Sequence, residues 1–416
     1  MRHAILIIAT LCAGTASADP LVDPVLEARA RAVHEKVIAL DTHVDIPLDY
    51  ATAAMDPGGF TKAQVDLPKM RAGGLDAAFF IVFTPQDKLD DAGYAEARNI
   101  AQKRLSAIHR MVNAYPDEIA FAPRARDVAN ILKSRRKAAL IGVENAYPLG
   151  PTPVQADINR LYKDGVRYVG ITHFGHNQFG DSSNPDEEAG DAPERWGGLS
   201  PAGRDLVGML NRAGVMVDVS HAGRKTMLQA IEVSKAPIIA SHSGVKAIAD
   251  SPRNLDDEQL RAIAVNGGVA QMVALDAYVR IFTPEQIAFR DRLRKEMGLE
   301  TAAQRRAASA ETDEAYEKRL QAIFDITPRA SIADFVDHID HAVKVAGVDH
   351  VGIASDFDGG GGIVGWEDAS QTLNVTRELV RRGYSDEAIA KIWGGNLLRV
   401  LGAVEETAER LQKGPE

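Results

Sequence analysis

Eight short apolar runs, each separated from the next by a polar or amphipathic stretch, constrain the fold of this chain more than any other feature. They are Val37–Asp45, Leu75–Thr84, Ala138–Asn145, Val166–His173, Val215–His221, Pro237–His242, Gly268–Ala274 and His350–Asp356. Most are continuously apolar rather than alternating, as parallel strands covered on both faces must be. Helical patterns lie between them at Tyr94–Ala114, Val154–Asp164, Pro201–Ala213, Asp256–Val265 and Ile332–Ala346. The alternation predicts an α/β protein, a single-domain (β/α)8 TIM-like barrel. An open doubly wound sheet is the alternative, because alternation alone does not require closure. Tyr278–Pro328, rich in Arg, Glu, Ala and Gln, breaks the rhythm and reads as a helical insertion, about 279–328, before the last strand. The polar segment Phe179–Trp196 reads as a long loop after the fourth strand.

The first residues stand outside this pattern. Arg2 and His3 precede an apolar run, Ala4–Ala13, and Ala16-Ser17-Ala18 forms an A-x-A cleavage site ahead of Asp19 and Pro20. Residues 1–18 are therefore expected to be a secretory signal peptide, with 19–416 as the exported chain, periplasmic or secreted. The apolar run is too short to span a bilayer, and no later stretch is long enough, so no stable membrane anchor is expected. Cys12, the single cysteine, would leave with the signal. The remaining chain then has neither disulfide nor thiolate, and any metal must be held by His, Asp and Glu. A formal net charge of -10 argues against nucleic acid as a partner.

Ionisable residues fall at the ends of the apolar runs. His43 and Asp45 end the first, Glu144 closes the third before Asn145, and His173, His221, His242 and Asp356 end the fourth, fifth, sixth and eighth. In a barrel the C-terminal strand ends converge on one face, where active sites sit. Residues two apart on a strand share a face, so His43 and Asp45 can reach one ion. Counting ligands places His43, Asp45 and Glu144 on one metal and Glu144, His221 and His242 on a second, with Glu144 shared. Three protein ligands leave room for water and substrate, which is the mark of a catalytic site. Such a pair of ions would polarise a carbonyl and hold a bridging hydroxide. Asp356 is then the expected general base and acid. Each histidine taken alone reads more simply as a hydrogen-bonded structural residue; the argument rests on their joint placement.

The chain resembles the membrane (renal) dipeptidase family, zinc peptidases among the amidohydrolase-like barrels. The resemblance is carried by Asp41-Thr42-His43-Val44-Asp45-Ile46-Pro47, Gly142-Val143-Glu144-Asn145, Ile171-Thr172-His173-Phe174, Asp218-Val219-Ser220-His221 and Ile239-Ala240-Ser241-His242-Ser243. It continues through Ser251-Pro252-Arg253-Asn254-Leu255, the segment His350–Gly359, and Gly394-Gly395-Asn396-Leu397-Leu398-Arg399-Val400. It implies hydrolysis of dipeptides, extending to L-Xaa–D-Xaa members, at two zinc ions per subunit held by the ligands counted above. It also implies that His173 binds substrate and stabilises the tetrahedral oxyanion, and that Arg253 anchors the C-terminal carboxylate. Tyr278 falls where the family has a substrate-contacting tyrosine. Homodimers are the family habit. The mammalian members carry disulfides and a lipid-anchor signal, whereas this chain ends in the polar Gln412-Lys413-Gly414-Pro415-Glu416.

The competing readings are a related amidohydrolase acting on another amide, lactam or ester, and a periplasmic binding protein without turnover. His34, His109, His176, His338, His341 and His350 are expected to be structural. Asp358 is expected to shape a turn, and Asn177 to line the pocket.

Overall fold

The computed structural model describes residues 23–413, apart from 302, 303 and 306; the A-x-A segment and its apolar run lie outside them. Among the described residues nine strands are present: β1 Leu40–Val44, β2 Ala77–Phe83, β3 Ile119–Phe121, β4 Lys137–Glu144, β5 Val166–Gly170, β6 Met216–Asp218, β7 Ile239–Ser243, β8 Val269–Val273 and β9 Val351–Ala354. All pair in parallel, in the order β1-β2-β4-β5-β6-β7-β8-β9. Backbone bonds from Asp45 N to Phe357 O (2.8 Å) and from Asp356 N to His43 O (3.1 Å) join the last strand to the first. The sheet is thus a barrel rather than an open doubly wound layer.

β3 is the strand the sequence did not reveal. Its three residues pair with Lys137–Ala139 of β4, beside the barrel path rather than within it, and three residues are too few to give a periodic signal. β5 and β6 are also shorter than their apolar runs. The residues beyond Gly170 and Asp218 leave the ladder, and it is these that carry His173 and His221.

Alternate strand residues divide between two cores, as the period of a strand requires. Ala78, Phe80 and Val82 belong to the larger core, with Phe335, Trp366 and Trp393. Phe79, Ile81, Leu140, Tyr168 and Met216 form a second cluster that Leu397, Val400, Leu401 and Val404 of the C-terminal helix complete. Gly142 belongs to this tight interior: a Cβ there would lie 2.2 Å from the Tyr168 ring.

The helices start and stop where their sequences direct. Pro201–Ala213 begins at Ser200, whose side chain accepts from Gly203 N, with proline in the first turn, and ends at Gly214 in the left-handed region, φ 78°. Ile332–Ala346 is opened by a reciprocal Ser331–Asp334 capping pair. Asn396 ties the start of β9 in place by donating Nδ2 to Val348 O (2.7 Å) and Val351 O (2.8 Å). Between β8 and β9 the helices Pro284–Glu296 and Ala310–Leu320 share a small core of their own, Leu293, Leu299 and Tyr316. Among the described residues no helix is long and apolar enough to cross a membrane.

The turn after β9 has little room. Gly361 N donates to Asp356 O at 2.7 Å, and a Cβ on Gly361 would lie 2.0 Å from Ser355 O. Because the obstacle is backbone, Gly361→Ala is expected to cost roughly 1–3 kcal/mol. Urea unfolding should show a lower midpoint at unchanged slope; an unchanged midpoint would contradict the close approach.

Candidate metal centre and catalytic cavity

The seven ionisable residues at the ends of the apolar runs meet at the C-terminal end of the barrel. Glu144, the last residue of β4, is at the centre. Its Oε2 lies 3.6 Å from His43 Nε2, while its Oε1 lies 3.0 Å from His221 Nε2 and 3.4 Å from His242 Nε2. His43 Nε2 is also 3.4 Å from Asp45 Oδ2 and 3.8 Å from Asp356 Oδ1. His173 Nε2 is 3.9 Å from Glu144 Oε1. Three overlapping groups place their donor atoms within 4.8 Å of one another: His43–Asp45–Glu144, Glu144–His221–His242 and His43–His242–Asp356.

Three features of this arrangement fit a cation. His221 Nε2 and His242 Nε2 stand 3.0 Å apart, both turned on the same carboxylate oxygen. His43 Nε2 and Asp45 Oδ1 are buried without a hydrogen-bond partner, a costly state that a cation would relieve. The charges agree. Burial would lower the pKa of His43, yet Glu144 and Asp45 raise it well above the ordinary histidine value. A proton is thus drawn to the place a metal ion would take. Burial also pushes His221 and His242 well below the usual range, so both are neutral and keep lone pairs. Burial alone would raise Glu144, but the surrounding His173, His43, His221 and His242 hold it well below the usual carboxylate value.

The surrounding hydrogen bonds fix which nitrogen carries the proton. The Tyr168 hydroxyl donates to Thr42 O at 3.1 Å, so it must accept from His43 Nδ1–H at 2.9 Å. Ser241 Oγ donates to Asp218 Oδ2 at 2.8 Å and accepts from His242 Nδ1–H at 2.8 Å. In both rings Nε2 is then the nitrogen turned toward Glu144 and offered to a cation. Asp41 Oδ1 accepts from His43 N (3.1 Å) and Ser355 N (3.0 Å), bracing β1 against the end of β9; burial raises Asp41 to about 6.

Backbone strain collects at the same place. Asn145, His221 and Asp356 have φ of 71°, 64° and 60°, left-handed values that cost non-glycine residues about 1–3 kcal/mol each. They let the chain turn sharply at a strand end while its side chains point inward. Burial raises Asp356 to about 8, with His43 opposing and Asp45 and Glu144 adding to the effect. A carboxyl so placed can both take and return a proton near neutrality.

Asp45, Glu144, His173, His221, His242 and Asp356 line a cavity of about 430 Å³ whose walls include Ile46, Phe83, Arg104, Leu275 and Tyr278. His173 packs between Phe83 and Phe174, with ring centroids 4.7 and 4.5 Å away, and burial lowers its pKa. Tyr278 is on the wall. Arg253 lies behind it, 2% exposed, its guanidinium 5.3 Å from the Tyr278 ring centroid. Arg253 Nη1 donates to Ser243 Oγ (2.7 Å) and Nη2 to His242 O, while Nε has no partner.

The other residues singled out in the sequence are engaged in hydrogen bonds within the protein, although Asp358 also borders the cavity. His338 Nδ1 accepts from Val245 N (2.9 Å) and Nε2 donates to Val279 O (3.0 Å). His34, His109, His176 and His350 bond backbone carbonyls, and His341 bonds Asp257. Asp358 accepts from Gln64 N at 2.9 Å. Asn177 is buried away from the cavity, bonding Ile171 O and Asn145 Oδ1; its amide is consumed in holding the loop after β5. The sequence reading passed over Tyr168 and Arg104, and it quoted Asp41 and Ser241 within motifs without giving them a role. Asp41 was within reach, since it stands two residues before His43. Tyr168 looks like any core aromatic.

A family model described as membrane dipeptidase, peptidase family M19, matches residues 27–415. Dipeptidase aclJ of Aspergillus oryzae is 33% identical over 355 residues, covering 84% of this chain and 72% of that protein. Dipeptidase ataJ of Aspergillus terreus is 30% identical over 410 residues, covering 92% and 88%. The crystal structure of the probable dipeptidase PvdM from Pseudomonas aeruginosa superposes with a TM-score of 0.82 at 34% identity, covering 92% of this chain and 99% of that one. The chain belongs to the membrane dipeptidase family, peptidase family M19, and is a metal-dependent hydrolase of dipeptides.

Proposed function

We propose that the enzyme works with two zinc ions per subunit, one held by His43, Asp45 and Glu144, the other by Glu144, His221 and His242. The observation that carries this reading is the division of Glu144, whose two oxygens face separate histidine sets. When bound, the ions would supply Lewis acidity to the substrate carbonyl and lower the pKa of water.

The protein's own groups do the rest. Arg253, its guanidinium 5.3 Å from the ring of Tyr278 on the cavity wall, is the cation that would meet the substrate's C-terminal carboxylate. That contact lays the dipeptide across the cavity with its peptide carbonyl over Glu144. His173, kept neutral by burial, donates a hydrogen bond to the carbonyl oxygen as negative charge grows there. Water attacks the carbonyl carbon, Asp356 accepts its proton, and the same proton passes to the leaving nitrogen as the C–N bond breaks. Phe83 and Phe174 flank His173 and hold its ring in place.

The test is a hydrolysis panel of dipeptides, L-Xaa–D-Xaa dipeptides, acylated amino acids, lactams and esters, run on metal-quantified protein. Cleavage of free dipeptides is expected. Cleavage of another class alone would favour a related amidohydrolase, and metal content without hydrolysis a binding protein. The same reading takes residues 1–18 as an export signal, 19–416 as one barrel with a helical insertion at about 279–328, and the subunit as a homodimer in the periplasm or outside the cell. Cell fractionation and sedimentation check those points.

One supporting residue gives a sharper test. Without its hydroxyl, Tyr168→Phe would no longer fix the tautomer of His43. Metal affinity is expected to fall about 10- to 100-fold, measured by competition with a chelator. Undiminished affinity would show that the Tyr168 bond does not orient His43.

A further inference from the structure

The cavity wall carries one charged side chain that the hydrolysis above does not use. Arg104 projects from the helix Asp91–Ala114 to the wall beside Ile46 and Phe83. Its Nε donates to Ile46 O at 3.1 Å and its Nη1 to Phe83 O at 2.7 Å. Nη2 and the second Nη1 hydrogen have no acceptor among the described residues. No carboxylate of the described residues lies within 4.0 Å of it. Asp45 and Glu144 act on it only from longer range, and both are turned toward the histidines. The guanidinium is half-buried over the Phe83 ring, 5.3 Å from its centroid, and its partial withdrawal from water without a close anionic partner costs free energy. On the wall of a substrate cavity, the missing anion is one that arrives with the substrate.

Position decides which part of the substrate that is. Arg104 stands over the ends of β1 and β2, and Arg253 follows β7. In the ring β1-β2-β4-β5-β6-β7-β8-β9, β2 is second and β7 is sixth of eight, so the two arginines face each other across the mouth. Glu144, His43 and His242 lie between them. A dipeptide with its C-terminal carboxylate at Arg253 therefore brings its N-terminal residue to Arg104.

We infer that Arg104 binds a carboxylate on the residue N-terminal to the scissile bond, so that the enzyme selects dipeptides beginning with Glu or Asp. This rests on the dipeptidase reading and on the orientation set by Arg253. The free Nη1 and Nη2 hydrogens suit a carboxylate, which a planar guanidinium can grip with two parallel bonds. A glutamine side chain has the same shape without the charge.

The test compares L-Glu-L-Ala with L-Gln-L-Ala on the metal-loaded enzyme. The ratio of kcat/KM is expected to favour Glu by about 10- to 100-fold, the scale of a hydrogen bond to a charged group. Calorimetric Kd values on Asp356→Asn holoprotein should differ in the same sense, independently of turnover. Arg104→Gln should bring both ratios close to one, and Arg104→Lys should keep the preference at a smaller ratio. Because each ratio is taken within one protein, partial loss of folded enzyme does not move it. Equal cleavage of both substrates by the wild type would overturn the assignment and leave the dipeptidase reading standing. A preference that survives in Arg104→Gln would also overturn it. Failure to cleave any dipeptide would remove both.

Discussion

Glu144→Gln is expected to release metal and to lower kcat/KM by on the order of 10³-fold, as loss of preorganised charge stabilisation does. The substitution keeps the volume of the side chain but removes its charge. It also replaces one of two equivalent oxygens with an NH2 group that can only donate. One face of the residue would then repel the cation it is proposed to hold: either on the side of His43, or on the side of His221 and His242. Metal content should fall well below that of the parent, as measured by elemental analysis after dialysis. His221 and His242, 3.0 Å apart, would be left without the carboxylate oxygen that both now face. A Glu144→Gln protein with parental metal content and activity would contradict the shared-ligand arrangement.

Asp356→Asn should behave differently, with kcat reduced by about 10²- to 10⁴-fold and metal content unchanged. Asparagine adopts left-handed backbone as readily as aspartate, so the φ of 60° is tolerated and the fold should be kept. An amide cannot carry a proton from water to a leaving amine, although it fills the same space. The contrast is informative because Asp356 also stands in a possible ligand cluster with His43 and His242. If Asp356→Asn loses metal in step with activity, the residue is a ligand and its proton-transfer role falls. Activity comparable to the parent's would exclude both roles.

The barrel was legible because its parallel strands are buried on both faces and so read as unbroken apolar runs. Helices such as Pro201–Ala213 and Ile332–Ala346 were legible from their patterns, and the structure shows Ser200, Ser331 and Gly214 fixing their ends. A His, Asp or Glu closing a run of valines and isoleucines was the mark of the site, and those residues do meet around one cavity. What the sequence hid was set by tertiary structure. Nothing local marks Tyr168 as the acceptor for His43, or Arg104, in a polar helix between β2 and β3, as part of the cavity wall. The left-handed turns at His221 and Asp356 are invisible because neither residue is glycine. The setting of Arg253, behind Tyr278 with only Nε unpartnered, emerges only from packing.

The central claim is that two metal ions share Glu144 and that dipeptide hydrolysis needs both. The most direct measurement titrates metal-stripped protein with zinc, following dipeptide hydrolysis and bound metal per subunit together. Activity should rise steeply until two ions are bound and then level off. Full activity with one ion bound, or with none, would contradict the claim.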